Sequence, residues 1–213
     1  RLLRPSIHSK EEAIRLFLTK SVEERDEWVA ELRVASRVVP LEENFELKAL
    51  LRKGAFASVH RGVHKETRQE YAIKVIDKTS LSGHEKSLLR GEIGALKLVA
   101  HPNVVRLEAV HEDPRSIAIV MTLCRGGDLW DKVRAQPSRC FTINQARMVM
   151  RPLCEAVLYL HDLGILHRDI KPENILLVDN SPGDECLSGV ILSDFGFSHQ
   201  VSPQSRLACG KQV

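Results

Sequence analysis

The hydrophobic period of this chain changes once, and that change limits the architectures open to it. From Phe45 to Leu123 the apolar residues come in short runs separated by turn-like breaks. Phe45 to Leu51, Ser58 to Val63, Glu70 to Ile76, Val104 to Val110 and Ser116 to Leu123 read as strands. One helix interrupts them, with Leu89, Ile93, Leu96 and Val99 at helical spacing. After Gly126-Gly127 the pattern turns helical. Thr142-Ile-Asn-Gln145 has the capping-box spacing, and Val149, Leu153, Val157 and Leu160 form one apolar face. Short strands return at Ile175 to Val178 and Val190 to Leu192. Five strands with one helix, followed by a mainly helical part, predict an α+β fold in two lobes.

Composition excludes several classes. Of 213 residues, 43% are hydrophobic and 28% charged, which is globular rather than disordered. The net charge of +3 proposes no nucleic-acid or membrane partner. Cys124, Cys140, Cys154, Cys186 and Cys209 are scattered, with no CxxC pair. They argue against a zinc site or a disulfide framework and read as reduced, intracellular thiols, hence a cytoplasmic location. No apolar run approaches the ~18 residues of a membrane span, and no signal peptide is visible. The chain starts at Arg1 rather than Met, so its start is expected to be missing or processed.

Near the N-terminus, Ala13 to Thr19 carries strand-compatible apolar residues. Ser21-Val-Glu-Glu24 then places an N-cap serine before a helix with Val22, Trp28, Val29, Leu32 and Ala35 on one stripe. A strand followed by a capped helix with a buried tryptophan resembles the end of a pleckstrin-homology domain. That resemblance implies that any phosphoinositide-binding loops lie upstream. An amphipathic helix leading into the next domain is the alternative for residues 1–37. Val38 to Asn44 reads as a linker, so residues 45–124 and 125–213 would be the two lobes.

The chemistry is concentrated in His167-Arg-Asp-Ile-Lys-Pro-Glu-Asn174, with Asp194-Phe-Gly196 twenty residues beyond it. Upstream, Tyr71-Ala-Ile-Lys74 closes a predicted strand and Glu92 sits on the following helix. The order of these motifs, each on the expected element, resembles the eukaryotic protein kinase family from about Phe45 to Gly210. The resemblance implies an enzyme that uses ATP and Mg²⁺ to phosphorylate protein substrates, with no nucleic-acid partner. Lys171 in Asp-Ile-Lys-Pro-Glu-Asn is the serine/threonine pattern, and Asp194-Phe-Gly-Phe-Ser198 is similar to the calcium/calmodulin-dependent group.

Phosphoryl transfer needs positioning and charge neutralisation more than covalent help. By the resemblance, Lys74 meets the α- and β-phosphates and Glu92 fixes its rotamer. Asn174 and Asp194 hold Mg²⁺ through hard oxygens. Asp169 orients the acceptor hydroxyl and takes its proton, and Lys171 neutralises the γ-phosphate. Met121 is the gatekeeper, Thr122, Leu123 and Cys124 form the adenine-reading hinge, and Asp128 faces the ribose. Val59, Ala72 and Leu176 sandwich the adenine ring, while Leu51, Gly54 and Glu173 complete the nucleotide contacts.

The chain also departs from the family. Its three loop glycines fall on Arg52, Gly54 and Ala57, so only Gly54 keeps the freedom that close backbone approach to phosphate requires. Ala57 is a mild change, whereas Arg52 is expected either to clash with the phosphates or to reach one with its charge. Pro152 interrupts the long helix and predicts a bend near Met148. Asp179 to Cys186 lengthens the connection to Asp194 as an exposed turn. Ser198 to Arg206 resembles an activation segment with Ser202 and Ser205 as phosphate acceptors. Leu207 to Gly210 resembles the start of the segment leading to the peptide-binding floor, and no Ala-Pro-Glu follows before Val213. The expectation is therefore a kinase represented by a fragment. The alternative is a truncated, non-catalytic kinase-like module that binds nucleotide or a protein partner.

Overall fold

The computed structural model describes residues 21–35, 40–54, 57–181 and 183–200. The chain divides into two units, Arg1–Arg37 and Val38–Val213. The described part of the first is one helix, α1 (Val22–Ala35). Ser21 caps it as its spacing predicts: the Glu24 amide donates to Ser21 Oγ at 3.1 Å. Trp28, expected to be buried, is instead 55% exposed, and Val22 is 58% exposed. The Glu-Glu-Arg-Asp-Glu run between them leaves too narrow an apolar stripe to bury. The strand expected over Ala13 to Thr19, Ser202, Ser205 and the Leu207 to Gly210 stretch lie outside the described residues.

The second unit opens with α2 (Leu41–Asn44), a single turn where the sequence reads as linker. It forms because Leu41 is buried together with Phe45, Ile73, Ala118 and Val120. Five antiparallel strands follow: β1 (Phe45–Lys53), β2 (Ala57–His64), β3 (Glu70–Asp77), β4 (Leu107–Glu112) and β5 (Ser116–Thr122), in the order β1-β2-β3-β5-β4. Successive side chains alternate between faces. Ile73 therefore packs under Phe45 while Lys74 points to the opposite face.

Between β3 and β4 runs α3 (Gly83–Leu98). Ser82 and Glu85 form a full capping box at its start, and Leu89, Glu92, Ala95 and Leu96 make its buried face. β4 begins at Leu107, three residues later than the apolar run predicts. The skipped residues pair elsewhere: Val105 N–H donates to Leu192 O at 2.9 Å, and Leu192 N–H donates to Asn103 O at 2.9 Å.

The helical part contains α4 (Leu129–Arg134), α5 (Ile143–Asp162), β6 (Ile165–Leu166), β7 (Ile175–Leu177), β8 (Val190–Leu192) and β9 (His199–Gln200). β6 pairs with β9 and β7 with β8, both antiparallel. α5 continues through Pro152 as one helix, capped by Thr142 and Gln145. Its apolar face, Val149, Leu153, Ala156 and Leu160, joins a core that runs from Ile76 and Leu89 to Leu177, Leu192 and Phe195. That shared core joins the sheet and α3 to the helical part. Among the described residues no helix is long and apolar enough to cross a membrane.

Candidate active site

Strand register assembles the roof of the cleft. Lys74 lies opposite Val59 on β2 and Ile119 on β5, and Ala72 lies opposite Met121. Opposed residues share a face, so Val59, Ala72, Lys74 and Met121 project from one side of the sheet. Each of the four is half-buried. Leu51, expected to join them, is 50% exposed. An irregularity between Leu50 and Arg52 sets Arg52, not Leu51, opposite Val59.

The buried face of α3 brings Glu92 to the lysine. Lys74 Nζ donates to Glu92 Oε1 at 2.6 Å and lies 3.7 Å from Asp194 Oδ1. Glu92 is only 6% exposed. Removing one partner of such a pair strands the other in a poorly solvated place, so the pair fixes geometry more than it adds stability.

β6 leads directly into His167. The buried His167 ring sits edge-on to Phe195, 4.9 Å between centroids. Its Nε2 lies 3.0 Å from Ser193 O, and its Nδ1 accepts from Asp169 N–H at 3.3 Å. A carbonyl accepts only, so the proton resides on Nε2. Burial pushes the imidazole below its ordinary pKa, opposed by the Ser193 bond and by the Asp194 and Asp169 charges.

Asp169 accepts from Lys171 Nζ at 2.8 Å and from Asn174 Nδ2 at 2.8 Å. Asn174 Nδ2 also donates to Asp169 O at 2.9 Å. The bond from Lys171 holds the Asp169 carboxyl below its usual pKa, with Asn174 adding to it, and the same contact raises Lys171. Asn174 is 1% exposed. With its amide nitrogen committed to Asp169, the carboxamide oxygen is the atom it can offer to a cation.

Backbone bonds tie this loop to Asp194. Ser193 N–H and Oγ both donate to Asn174 O, at 2.8 and 2.9 Å. Arg168 Nε donates to Phe197 O at 2.6 Å. Asp194 and Arg168 adopt left-handed backbone, φ 64° and 66°. Such conformations cost of order 1–3 kcal/mol and persist where the surroundings over-determine them. A side chain at Gly196 would approach Asp194 Oδ1 at 3.2 Å and Glu92 Oε2 at 3.8 Å, so glycine keeps the carboxylates clear.

The hinge follows β5. Leu123 and Cys124 are half-buried, and burial pushes the Cys124 thiol up to about 11, leaving it protonated and unreactive. Gly126 and Gly127 do more than mark a break. Gly126 N–H donates to Leu177 O at 2.9 Å, and a side chain there would run into the Asp179 carbonyl and Leu177. Gly127 has φ 75°. Asp128 caps α4, its Oδ1 accepting from Asp131 N–H at 2.9 Å, and bridges to Leu176. One carboxylate oxygen is thus structural, a role its sequence context did not signal. Leu176 is half-buried against the main core, as is Met121.

Among the described residues no three His, Cys, Asp or Glu side chains are grouped to hold a metal. The carboxylate of Asp194 and the carboxamide oxygen of Asn174 are hard oxygens of the kind Mg²⁺ prefers. The donor set therefore suits a metal carried in with a polyphosphate.

Fold and site together define a two-lobed domain with a lysine–glutamate pair above an Asp/Asn/Asp cluster. The protein kinase domain model matches residues 45–212, and the chain belongs to that family. It is 40% identical over 159 residues to fhkC, a probable serine/threonine-protein kinase of Dictyostelium discoideum, covering 74% of this chain and 26% of that protein. It is 38% identical over 172 residues to myosin light chain kinase A of the same organism, covering 80% and 56%. With calcium/calmodulin-dependent protein kinase type IV of Mus musculus the figures are 36% over 173 residues, 80% and 35%. The chain thus spans between 26% and 56% of the length of these relatives.

Proposed function

We propose that this domain transfers a phosphoryl group from Mg·ATP to serine or threonine hydroxyls of protein substrates. The observation that carries the reading is Lys74 Nζ, 2.6 Å from Glu92 and 3.7 Å from Asp194, over a loop that presents Asp169 and Asn174. Lys74 neutralises the α- and β-phosphates while Glu92 holds its rotamer. Asp194 and the Asn174 carboxamide oxygen would hold Mg²⁺, which would neutralise charge on the phosphate oxygens.

Asp169 orients the acceptor hydroxyl. It takes the hydroxyl proton as the bond to phosphorus forms and the bond from phosphorus to the ADP oxygen breaks. Lys171, bonded to Asp169 at 2.8 Å, is within a side chain's swing of the transferred group. Val59, Ala72, Met121 and Leu176 enclose the adenine, and Leu123 and Cys124 read it by backbone. Asp128 meets the ribose through its second oxygen, while Gly54 and Glu173 complete the nucleotide contacts. The serine/threonine assignment is supported by the names of the relatives. A reducing, cytoplasmic setting is supported by scattered cysteines with no CxxC pair in the sequence.

Phosphate incorporation from labelled ATP into a basic serine peptide tests the reaction. The wild type incorporates label, and Asp169→Asn lowers the rate by roughly 10²–10⁴. Nucleotide binding with no incorporation would replace this reading by a non-catalytic module.

A further inference from the structure

We infer that Arg52 is a phosphate-binding residue, its guanidinium doing in the cleft what loop backbone amides do where glycine permits close approach. The inference rests on the Mg·ATP reading above and adds a determinant of affinity to it.

Placement comes first. Arg52 is opposite Val59 and Val59 opposite Lys74, so the three form one row across β1, β2 and β3 on the cleft face. The side chain reaches across the cleft: Arg52 Nη1 donates to Glu173 O at 3.4 Å. Glu173 adjoins Asn174, so the guanidinium ends beside the residues that would hold the metal-bound phosphates.

Of the three loop positions that carry glycine in the family, only Gly54 does so here. Gly54 N–H donates to Ala57 O at 2.8 Å, so the amide of the remaining glycine is spent on the loop's own turn. A side chain at Gly54 would meet that carbonyl at 3.3 Å. The turn needs Gly54 whether or not phosphate binds.

Charge completes the case. Lys74 is paired with Glu92 and Lys171 with Asp169. Among the described residues no carboxylate lies within ion-pair distance of Arg52, whose bond to Glu173 goes to a neutral oxygen. That exposed bond is long and weak. Exchanging it for anionic phosphate oxygens gives shorter, charge-assisted bonds suited to the planar fork of arginine.

The contribution of residue 52 to affinity should therefore depend on its side-chain charge and on the phosphates, not on the nucleoside. Titration calorimetry with Mg·ATP and with adenosine tests this on the wild type, Arg52→Gln and Arg52→Lys. Arg52 lies on an exposed strand position, and matched melting temperatures without ligand would confirm folding. Arg52→Gln should weaken Mg·ATP about tenfold and leave adenosine within about twofold, with Arg52→Lys in between. Unchanged or tighter Mg·ATP binding by Arg52→Gln overturns the inference, because the arginine would then be only an obstruction. Equal weakening of adenosine also overturns it, because the loss would be one of cleft shape. If the wild type binds neither ligand, the Mg·ATP reading fails with it; if it binds both regardless of residue 52, only this inference fails.

Discussion

Asp169 is a weaker base than a free carboxylate because Lys171 and Asn174 both donate to it. A depressed folded pKa keeps the carboxylate ionised to lower pH. Its contribution to stability is present above the unfolded value and is lost as pH falls through the lowered folded one. Lys171→Met should raise the Asp169 pKa toward its ordinary value, which a carbon-detected NMR titration of the carboxyl group would read. An unmoved titration would mean that Lys171 is not the cause. His167 titrates in another window. Its folded pKa is also lowered, so the unfolded chain takes up its proton first as pH falls through about 6.5, and stability drops. Urea unfolding at pH 7.5 and 5.5 should show the loss, and His167→Gln should flatten it; parallel pH dependences would contradict the burial account.

At the scale of elements, the turn between α3 and β4 is the joint that sets α3, and with it Glu92, relative to Asp194. Asn103 Nδ2 donates to Val190 O at 2.9 Å, and Ala100 N–H donates to the Tyr159 hydroxyl at 3.0 Å. Asn103→Ala should cost about 1 kcal/mol by leaving the Val190 carbonyl unpaired, measured by denaturant titration. No change would mean that solvent replaces the bond. Gly126→Ala should cost more, roughly 1–3 kcal/mol, because its Cβ would meet backbone rather than a yielding side chain. Elements long enough to show a period were legible in the sequence: β1, β2, β3 and β5, and the two capped helices α3 and α5; β7 and β8 were legible as short apolar runs. β6 and β9, two residues each, were not, because they exist through pairing with each other and carry no period of their own. The start of β4 was misplaced for a related reason, since Val104 and Val105 are apolar but bond to β8. At the site, the charged motifs singled out Lys74, Glu92, Asp169, Asn174 and Asp194, and the fold brings Lys74 to Glu92 and Asp194, and Asp169 to Asn174. For Arg52 the sequence left two outcomes open, crowding the phosphates or reaching one with its charge; its position opposite Val59 and its bond to Glu173 O depend on a strand irregularity that no sequence pattern shows.

Across the whole molecule, the site exists only because one core holds both lobes. Lys74 comes from the sheet, Glu92 from α3, Asp169 and Asn174 from the loop after β6, and Asp194 from the end of β8. Phe195, 1% exposed, is buried in the same cluster as Leu96, Leu177 and Leu192, which keeps Asp194 turned toward Lys74. Ligand binding to such a site should stabilise the folded domain as a unit. The most direct test is the melting temperature with and without Mg·ATP for the wild type, Lys74→Met and Asp194→Asn. At about 100 times Kd the wild type should gain roughly 5–10 °C, while both variants gain almost nothing under the same conditions. A wild type that gains nothing, or variants that gain as much as it does, would contradict a cleft in which these side chains converge on a metal-bound triphosphate.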